Sequence, residues 1–490
     1  MASPPKQKEE DKVPVMQVLE KAHYFTQALV PVPGAVPYPP LSAPSALRLR
    51  TRVVALTHNN VTYAALGFLV HWWDAHPLPA GGLTPTPEYD DAEKYGRVSA
   101  WGYAEVLEST LAGGPQKGDF VYGYLPLATL AQDVEFRLDD EVPGHLQATS
   151  AYRAKLMPFY NHYWAVARDS DAAKQLRAAV TDHDNKQGTG AVVGVDDGLG
   201  FDSLYRLLFE CGHLVTRYMF DAQNPVHPGM GPDAPRKSPW TREMADLAGA
   251  TVVLLAPASK TALGMAYEMQ KRVKKGPATS EPRRVVGAAG EGSRDFVQGT
   301  GLYDVTVSTS ETPDEAFLKT KLGVDVGAGE KVVLIDCGGR AGVGAKWAAA
   351  FRTLCAPGRF VMVGIGSEAG EHSPADVLKR FAPKETGTEE GEKEKEVPWF
   401  MQVNTGDLRE RAAAQVGRQQ VFGSAEAAFA EFKRDGVAGF SVRWGGGDGG
   451  GGGGVGEVGQ GADEGGGGDG FLVVRGKGVV LDCLVDGWHP

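Results

Sequence analysis

The chain has 490 residues, of which 42% are hydrophobic and 23% charged, and this length predicts two or three domains. The formal net charge of −11 argues against a nucleic-acid partner, because phosphate backbones are bound by clustered Lys and Arg. No apolar run approaches the roughly 20 residues that cross a bilayer, and the four cysteines match neither a zinc ribbon nor a disulfide framework. We therefore expect a cytoplasmic protein with no membrane partner.

The first part of the chain is predicted to be mostly β. Residues 1–13 are charged and contain proline, which is typical of a disordered tail. LRLRTRVVAL alternates and then becomes continuously apolar, which predicts a strand on a β core. The polar turn THNN follows it and leads into a short segment closed by Gly67. Two further strands, joined by a turn at Lys117-Gly118-Asp119, complete a β-rich domain over 14–150.

Residues 151–245 are predicted to form a helical connecting segment with loops. YRAKLMPFYNHYWAVARD and DSLYRLLFECGHLVTRYMF carry apolar residues three and four apart, as amphipathic helices do. A polar stretch over 181–200 lies between them and predicts a surface loop. The Pro- and Gly-rich residues 224–239 mark the end of this segment.

Strands and helices alternate over 246–372. The apolar runs TVVLLAP, RRVVGAAG, KVVLIDCGG and GRFVMVGIG, separated by helical segments, predict a parallel, doubly wound sheet that is covered on both faces. Residues 373–490 are predicted to return to the β-rich domain. They contain two segments expected to be disordered, the charged residues 383–397 and the glycine-rich residues 445–470.

This order of domains resembles the medium-chain dehydrogenase/reductase superfamily. Three segments are similar to those of its quinone- and enoyl-reductase members: LRLRTRVVALTHNNVTYAALG, the hairpin WGYAEVLES with QKGDFVYGY, and the closing GKGVVLD. Three shorter motifs resemble a little-studied family of unknown function at the edge of that superfamily: YNHY (160–163), ASKT (258–261) and GLYD (301–304). The resemblance implies a GroES-like β-rich catalytic domain, a Rossmann-type nucleotide-binding domain, a small-molecule substrate and a homodimer formed through an edge strand.

The junction LLAPASKTALG, between the first strand and the first helix of the doubly wound domain, is the expected phosphate site. Backbone N–H groups and the helix dipole favour a pyrophosphate at a helix N-terminus, and Ser259, Lys260 and Thr261 add hydroxyls and a positive charge. Only Gly264 matches the usual glycine fingerprint, so an ordinary N-capped helix is the alternative. By analogy, Thr216 approaches the nicotinamide; its alternative is a hydroxyl bonded to the helix backbone.

The tip of the second strand favours NADP(H) over NAD(H). An acid at this position binds the ribose hydroxyls of NAD, whereas Ser, Lys or Arg suits the 2′-phosphate of NADP. Residues 287–289 contain no acid, and Ser293 and Arg294 follow shortly after them. Glu291 keeps NAD(H) as the less favoured alternative.

No metal site is predicted. Zinc-dependent members of the superfamily carry a Gly-His-Glu segment and a cysteine ligand in the first domain, and this chain has no cysteine before Cys211. Without zinc, a Tyr hydroxyl or an Asn amide must stabilise the negative charge that develops on the substrate oxygen. The positions that match the substrate side of zinc-independent relatives make Asn59, Asn60 and Tyr63 the candidate catalytic residues.

A second set of polar and aromatic residues is expected to line the substrate pocket. It consists of Thr62, Tyr160, Asn161 and Tyr163. For both sets the alternative is structural, because Asn-Asn pairs form turns and Tyr fills β interfaces.

These observations predict a zinc-independent, NADP(H)-dependent oxidoreductase that transfers a hydride between the nicotinamide and an enone, quinone or carbonyl substrate. The alternative is a catalytically inactive nucleotide-binding scaffold or sensor with the same fold, which the missing fingerprint glycines favour. Fold does not decide between these two functions.

Overall fold

A computed structural model of the chain describes residues 13–81, 83–185, 197–275, 281–339, 342–365, 399–446 and 472–475. Four predicted features lie outside these ranges wholly or for the most part: the tail, the insert at 383–397, the glycine-rich insert and the closing GKGVVLD strand. Within these ranges, no helix is long and apolar enough to cross a membrane.

The β-rich domain is built on an eight-stranded sheet in the order β16-β17-β3-β5-β6-β9-β8-β7, and pairing of β7 with β3 closes six of these strands into a barrel. A separate sheet has the order β2-β1-β4. The strands are β1 Val15–Glu20, β2 His23–Pro31, β3 Ala46–Leu56, β4 Tyr95–Gly96, β5 Ser99–Ser109, β6 Phe120–Pro126, β7 Gln132–Leu138, β8 His145–Ala148, β9 His162–Ala165, β16 Arg443–Gly446 and β17 Leu472–Arg475. The predicted β-rich, GroES-like domain is thereby confirmed.

Two segments of this domain differ from the prediction. Helix α1 (His58–Val70) begins within the predicted turn, because Thr57 and Asn60 form a capping box there. The helix then continues through Gly67. The periodic segment that begins at residue 152 is not a helix. It contains a 3-10 turn at Pro158–Asn161 and then β9, which pairs with β6 and β8. Proline at the start of this turn and the aromatic residues after it favour turn and strand over helix.

The second domain contains a parallel sheet of six strands in the order β12-β11-β10-β13-β14-β15. Numbered by appearance within this domain, the order is 3-2-1-4-5-6, the arrangement of dinucleotide-binding sheets. The prediction of a Rossmann-type, doubly wound sheet is confirmed. Its strands are β10 Thr251–Leu255, β11 Arg284–Ala289, β12 Val305–Ser308, β13 Val332–Asp336, β14 Phe360–Gly364 and β15 Phe400–Gln402, with helices α6 Lys260–Lys275, α7 Glu291–Gly299, α8 Glu315–Phe317 and α9 Val343–Leu354.

The C-terminal part of this domain differs from the prediction. β15 pairs with β14 as the sixth strand of the sheet, so the sheet extends beyond the predicted boundary at residue 372. Two helices, α10 (Thr405–Val416) and α11 (Arg418–Asp435), follow where a return to the β-rich domain was expected. The chain rejoins that domain later, where β17 pairs with β3.

The remaining helices connect the two domains. α3 (Asp197–Leu214) confirms the second predicted helix and ends in a π-helical turn at Val215–Met219. Aromatic side chains of α3 pack on those of α11; Phe209, for example, stacks on Phe432 with ring centroids 4.8 Å apart. The other helices are α2 Asp171–Asn185, α4 Ala234–Lys237 and α5 Arg242–Ala245.

Candidate functional site

The order of the parallel sheet reverses between β10 and β13, and the loop after β10 forms one side of the crevice at this point. Ala256 adopts the left-handed conformation, with φ of 51°, which glycine usually supplies in this turn. Ser259 precedes α6, and its Oγ accepts a hydrogen bond from the Ala262 N–H at 3.3 Å. The turn therefore has the form of a phosphate-binding junction although its glycines are absent.

The loop after β13 forms the other side of the crevice and was not identified from the sequence. Asp336 Oδ1 accepts hydrogen bonds from the N–H groups of Gly338 and Gly339, at 3.0 and 2.6 Å. Gly338 and Gly342 have positive φ values of 109° and 69°. The sequence did contain a signal for this loop: glycines follow a buried strand and precede a helix. Such glycines allow a ligand to approach the backbone closely.

Cys337 joins the two sides of the crevice. Its backbone N–H donates to the Leu255 carbonyl at 3.4 Å, and its thiol lies near enough to the Ser259 side chain for that side chain to affect its pKa. Burial raises the pKa of the Cys337 thiol, so we expect the sulfur to remain protonated at neutral pH.

The other predicted cofactor residues have different surroundings. Lys260 is only 6% exposed, and Thr261 is half-buried in the first turn of α6. Gly264 lies one turn further on, where a Cβ would be 3.1 Å from the Phe209 ring of α3, so its small size allows the two helices to pack. Thr216 is fully buried, and its hydroxyl donates to the carbonyls of the preceding turn of its helix.

The tip of the second strand carries Ser293 and Arg294 in the first turn of α7. Arg294 is exposed and forms an ion pair with Glu291 at 3.4 Å. Ser308, the last residue of β12, donates to the other Glu291 oxygen at 2.7 Å. Since β12 lies on the side of β11 away from β10, this bond holds the Glu291 carboxylate away from the crevice.

Tyr63 is the centre of an aromatic cluster between α1 and the barrel. Its hydroxyl accepts a hydrogen bond from Trp101 Nε1 at 3.2 Å. Its ring lies edge-on to Tyr124 and Tyr160, with centroids 5.2 and 6.0 Å away. Burial raises the pKa of Tyr63 to about 12, so the hydroxyl keeps its proton at neutral pH. Asn59 and Tyr160 lie close enough to this hydroxyl to lower its pKa, against the larger effect of burial.

Three other predicted residues of the site make structural hydrogen bonds. Asn60 accepts from the Thr57 N–H at 2.7 Å and donates to the Ser99 carbonyl at 3.1 Å. The remaining two are Asn161, whose Oδ1 accepts from Arg153 Nε at 2.8 Å, and Tyr163, whose hydroxyl donates to the Tyr124 carbonyl at 2.5 Å. Thr62 is half-buried on α1. The structure thus brings Asn59, Tyr63 and Tyr160 together, while the other three side chains hold local structure.

The aromatic cluster is connected through Cys211 to the carboxyl end of β15, the outermost strand of the parallel sheet. Cys211, on α3, lies close enough to Tyr63 to affect its pKa, and its Sγ donates to Thr405 Oγ1 at 3.4 Å. Thr405 begins α10 just after the carboxyl end of β15. In the described part of the chain, no three His, Cys, Asp or Glu side chains are grouped so that they could hold a metal ion.

Comparison with known proteins identifies the family. The profile of a family described as "Protein of unknown function (DUF2855)" matches residues 54–457. The chain belongs to this family. No curated protein matches it.

Solved structures with a similar fold include three reductase-related proteins. The CurK enoyl reductase shares 13% identity, with 95% of this chain and 99% of that chain covered and a TM-score of 0.44. The CurF ER cyclopropanase from the curacin A biosynthetic pathway shares 11%, with 95% and 99% covered and a TM-score of 0.47. A mutant enoyl thioester reductase from Candida tropicalis shares 8%, with 95% and 100% covered and a TM-score of 0.47. At this level of similarity, the activity of the chain has to be argued from its own residues.

Proposed function

We propose that this DUF2855 protein is a zinc-independent, NADP(H)-dependent oxidoreductase that transfers a hydride between the nicotinamide and an enone, quinone or carbonyl substrate. The proposal depends on two observations: a helix N-terminus lies at the reversal point of the sheet, and a protonated tyrosine lies near the carboxyl end of the outermost strand of the same sheet. The first suits a pyrophosphate. The second suits a substrate oxygen that gains negative charge.

The residues at the crevice fit a dinucleotide. The left-handed Ala256 forms the tight turn after β10, and the first N–H groups of α6 lie at the carboxyl edge of the sheet. Ser259 and Thr261 add hydroxyl donors, and the glycine loop after β13 leaves room for close approach from the other side. A bound nicotinamide dinucleotide would supply the hydride.

The surroundings of Glu291 favour NADP(H). Its carboxylate bonds with Ser308 and Arg294, so it is poorly placed to bind the ribose hydroxyls of NAD(H). The exposed Arg294 guanidinium suits the 2′-phosphate of NADP(H), because Arg presents several donors in a plane. Ser293, in the same turn, adds a hydroxyl.

Tyr63 would donate a hydrogen bond to the substrate oxygen. Trp101 Nε1 donates to the Tyr63 oxygen, which leaves the phenolic proton available to an acceptor. The high pKa of Tyr63 favours stabilisation of the developing charge over complete proton transfer. Asn59 and Tyr160 would orient the hydroxyl.

The assembly of the chain into a homodimer remains a prediction from the resemblance.

Thermal unfolding with NADPH, with NADH and with neither tests the proposal. A ligand at 100 times its Kd stabilises the native state by about 2.7 kcal/mol, so we expect a clear rise of the midpoint with NADPH. NADPH oxidation with a panel of enones and quinones then tests turnover. Binding without turnover would favour the inactive scaffold, and no stabilisation by either dinucleotide would contradict both functions.

Replacing Arg294 by Gln should raise the Kd for NADPH at least about tenfold and leave the Kd for NADH within about twofold, because a charge-assisted bond to a phosphate contributes roughly 1.5–3 kcal/mol. Fluorescence titration of both dinucleotides measures this. Arg236→Gln is the matched control, since Arg236 is also exposed and pairs with an acid three residues before it, Asp233, at 3.7 Å. An equal loss of affinity for both dinucleotides would contradict the assignment of Arg294 to the 2′-phosphate.

A further inference from the structure

A second group of reactive side chains lies away from the crevice, where α3, α6 and α11 meet. His213 Nε2 is 3.1 Å from Ser424 Oγ, and His213 Nδ1 is 3.3 Å from Glu268 Oε2. The three residues come from different helices and are distant in the sequence. His213 and Glu268 are 3% and 9% exposed, whereas Ser424 is half-buried.

This connectivity is that of a nucleophilic triad. A carboxylate on Nδ1 fixes the tautomer in which Nε2 is free to accept a proton, and the hydroxyl lies within reach of that nitrogen. In a purely structural contact, either nitrogen could face either partner. Here the carboxylate faces Nδ1 and the hydroxyl faces Nε2, which is the order that activates a serine.

Two further observations bear on reactivity. The Tyr218 hydroxyl is 2.9 Å from Ser424 Oγ, so a donor is available near the position where an oxyanion would form. Gly423, beside Ser424, is exposed, and a Cβ there would have no atom within 4 Å. The helix surface at Gly423 is therefore open, and Ser424 itself is only half-buried.

The Ser424 hydroxyl also donates to the Val421 carbonyl at 3.0 Å. That bond is local to the helix, and rotation about the Cβ–Oγ bond turns the hydroxyl proton to His213 at the loss of this one hydrogen bond while Oγ stays in place.

We propose that Ser424, His213 and Glu268 form a second active site that hydrolyses small carboxylic esters. Ser424 Oγ bonds to the acyl carbon while its proton passes to His213 Nε2. The bond from that carbon to the alcohol oxygen then breaks, and the alcohol leaves with this proton. Water attacks the acyl-serine and gives a proton to His213. The acid is released as His213 returns the proton to Ser424 Oγ.

A fluorophosphonate probe tests the proposal on the whole chain, without dinucleotide, so that its outcome does not depend on the proposed reductase. We expect one covalent adduct, which peptide mass spectrometry places on Ser424 in the unmodified protein. Ser424→Ala should abolish labelling, and Ser109→Ala, a half-buried serine of β5, should not change it. p-Nitrophenyl acetate should be hydrolysed with the same dependence on Ser424.

Variants of the other two residues separate a catalytic arrangement from a structural one. His213→Gln should slow labelling at least 100-fold. Glu268→Gln should slow it about tenfold, and Glu268→Asp should recover part of the rate, since Glu268 is a positioning residue. Three results would overturn the proposal: no labelling of the wild-type protein, an adduct on another residue, or a labelling rate that His213→Gln leaves unchanged. The mapping of the adduct in the wild-type protein remains a valid test even if a variant fails to fold.

Discussion

Replacing Arg153 by Met is expected to lower the free energy of unfolding by about 3–5 kcal/mol. Arg153 is 0% exposed. It donates to Asn161 Oδ1 at 2.8 Å and to the carbonyls of Ala75 and Tyr160 at 2.7 and 2.8 Å. Methionine fills a similar volume but leaves these three buried acceptors without a donor, and each unsatisfied group costs about 1–3 kcal/mol. Urea unfolding followed by fluorescence measures the difference.

Arg137→Met is the control for Arg153. Arg137 is exposed on β7, and we expect its replacement to change the free energy of unfolding by less than about 0.5 kcal/mol. Equal costs for the two variants would contradict the view that the Arg153 hydrogen bonds stabilise this region. Because Arg153 holds the segment that carries Tyr160, its loss should also weaken any turnover that depends on the tyrosine cluster.

Acidification below about pH 6.5 is expected to destabilise the protein, by at most about 1.4 kcal/mol per pH unit for each of two buried histidines. Burial lowers the pKa values of His76 and His162 well below their ordinary value. Below pH 6.5 the unfolded chain binds protons at these residues while the folded chain does not. Stability from this source is therefore complete above about pH 6.5 and is lost as the pH falls. Urea unfolding at a series of pH values measures the slope.

His162→Gln tests this account residue by residue. The variant should reduce the slope by about 1.4 kcal/mol per pH unit, although it also loses the stacking of the imidazole on Phe422, whose ring centroid is 4.5 Å away. His23→Gln, at an exposed position of β2, should leave the slope unchanged. A slope that is the same in wild type and His162→Gln would contradict the role assigned to His162.

The sequence was most informative where a residue's environment depends on its neighbours in the chain. Continuous apolar runs such as TVVLLAP could be identified as buried parallel strands because both faces of such a strand are covered. The β-rich domain and the helix around Phe209 followed from the same kind of pattern. The strand-to-helix junction at Ser259, the proposed phosphate site, was located from its position after the first of these strands.

The errors have a common cause. The segment before Ala165 has helical spacing, but pairing with β6 and β8 decides its conformation, and propensity is a weak guide when tertiary contacts compete with it. The match of Gly264 to the glycine fingerprint stays a prediction, and the structure adds that its lack of a side chain allows α6 to pack on Phe209. The spacing of residues along the chain does not reveal whether a glycine allows a phosphate to approach or allows two helices to pack.

The sequence by itself determined the class of fold: a β-rich domain, a doubly wound parallel-sheet domain, and the position of the strand-to-helix junction where we propose that phosphate binds. Tertiary structure alone decided the order 3-2-1-4-5-6, the grouping of Tyr63 with Tyr160, and the meeting of His213 with Ser424 across 211 residues. The physical reason is the range of the interactions. Hydrophobic period and capping act within a few residues, whereas packing and side-chain hydrogen bonds join residues whose separation along the chain leaves no local pattern.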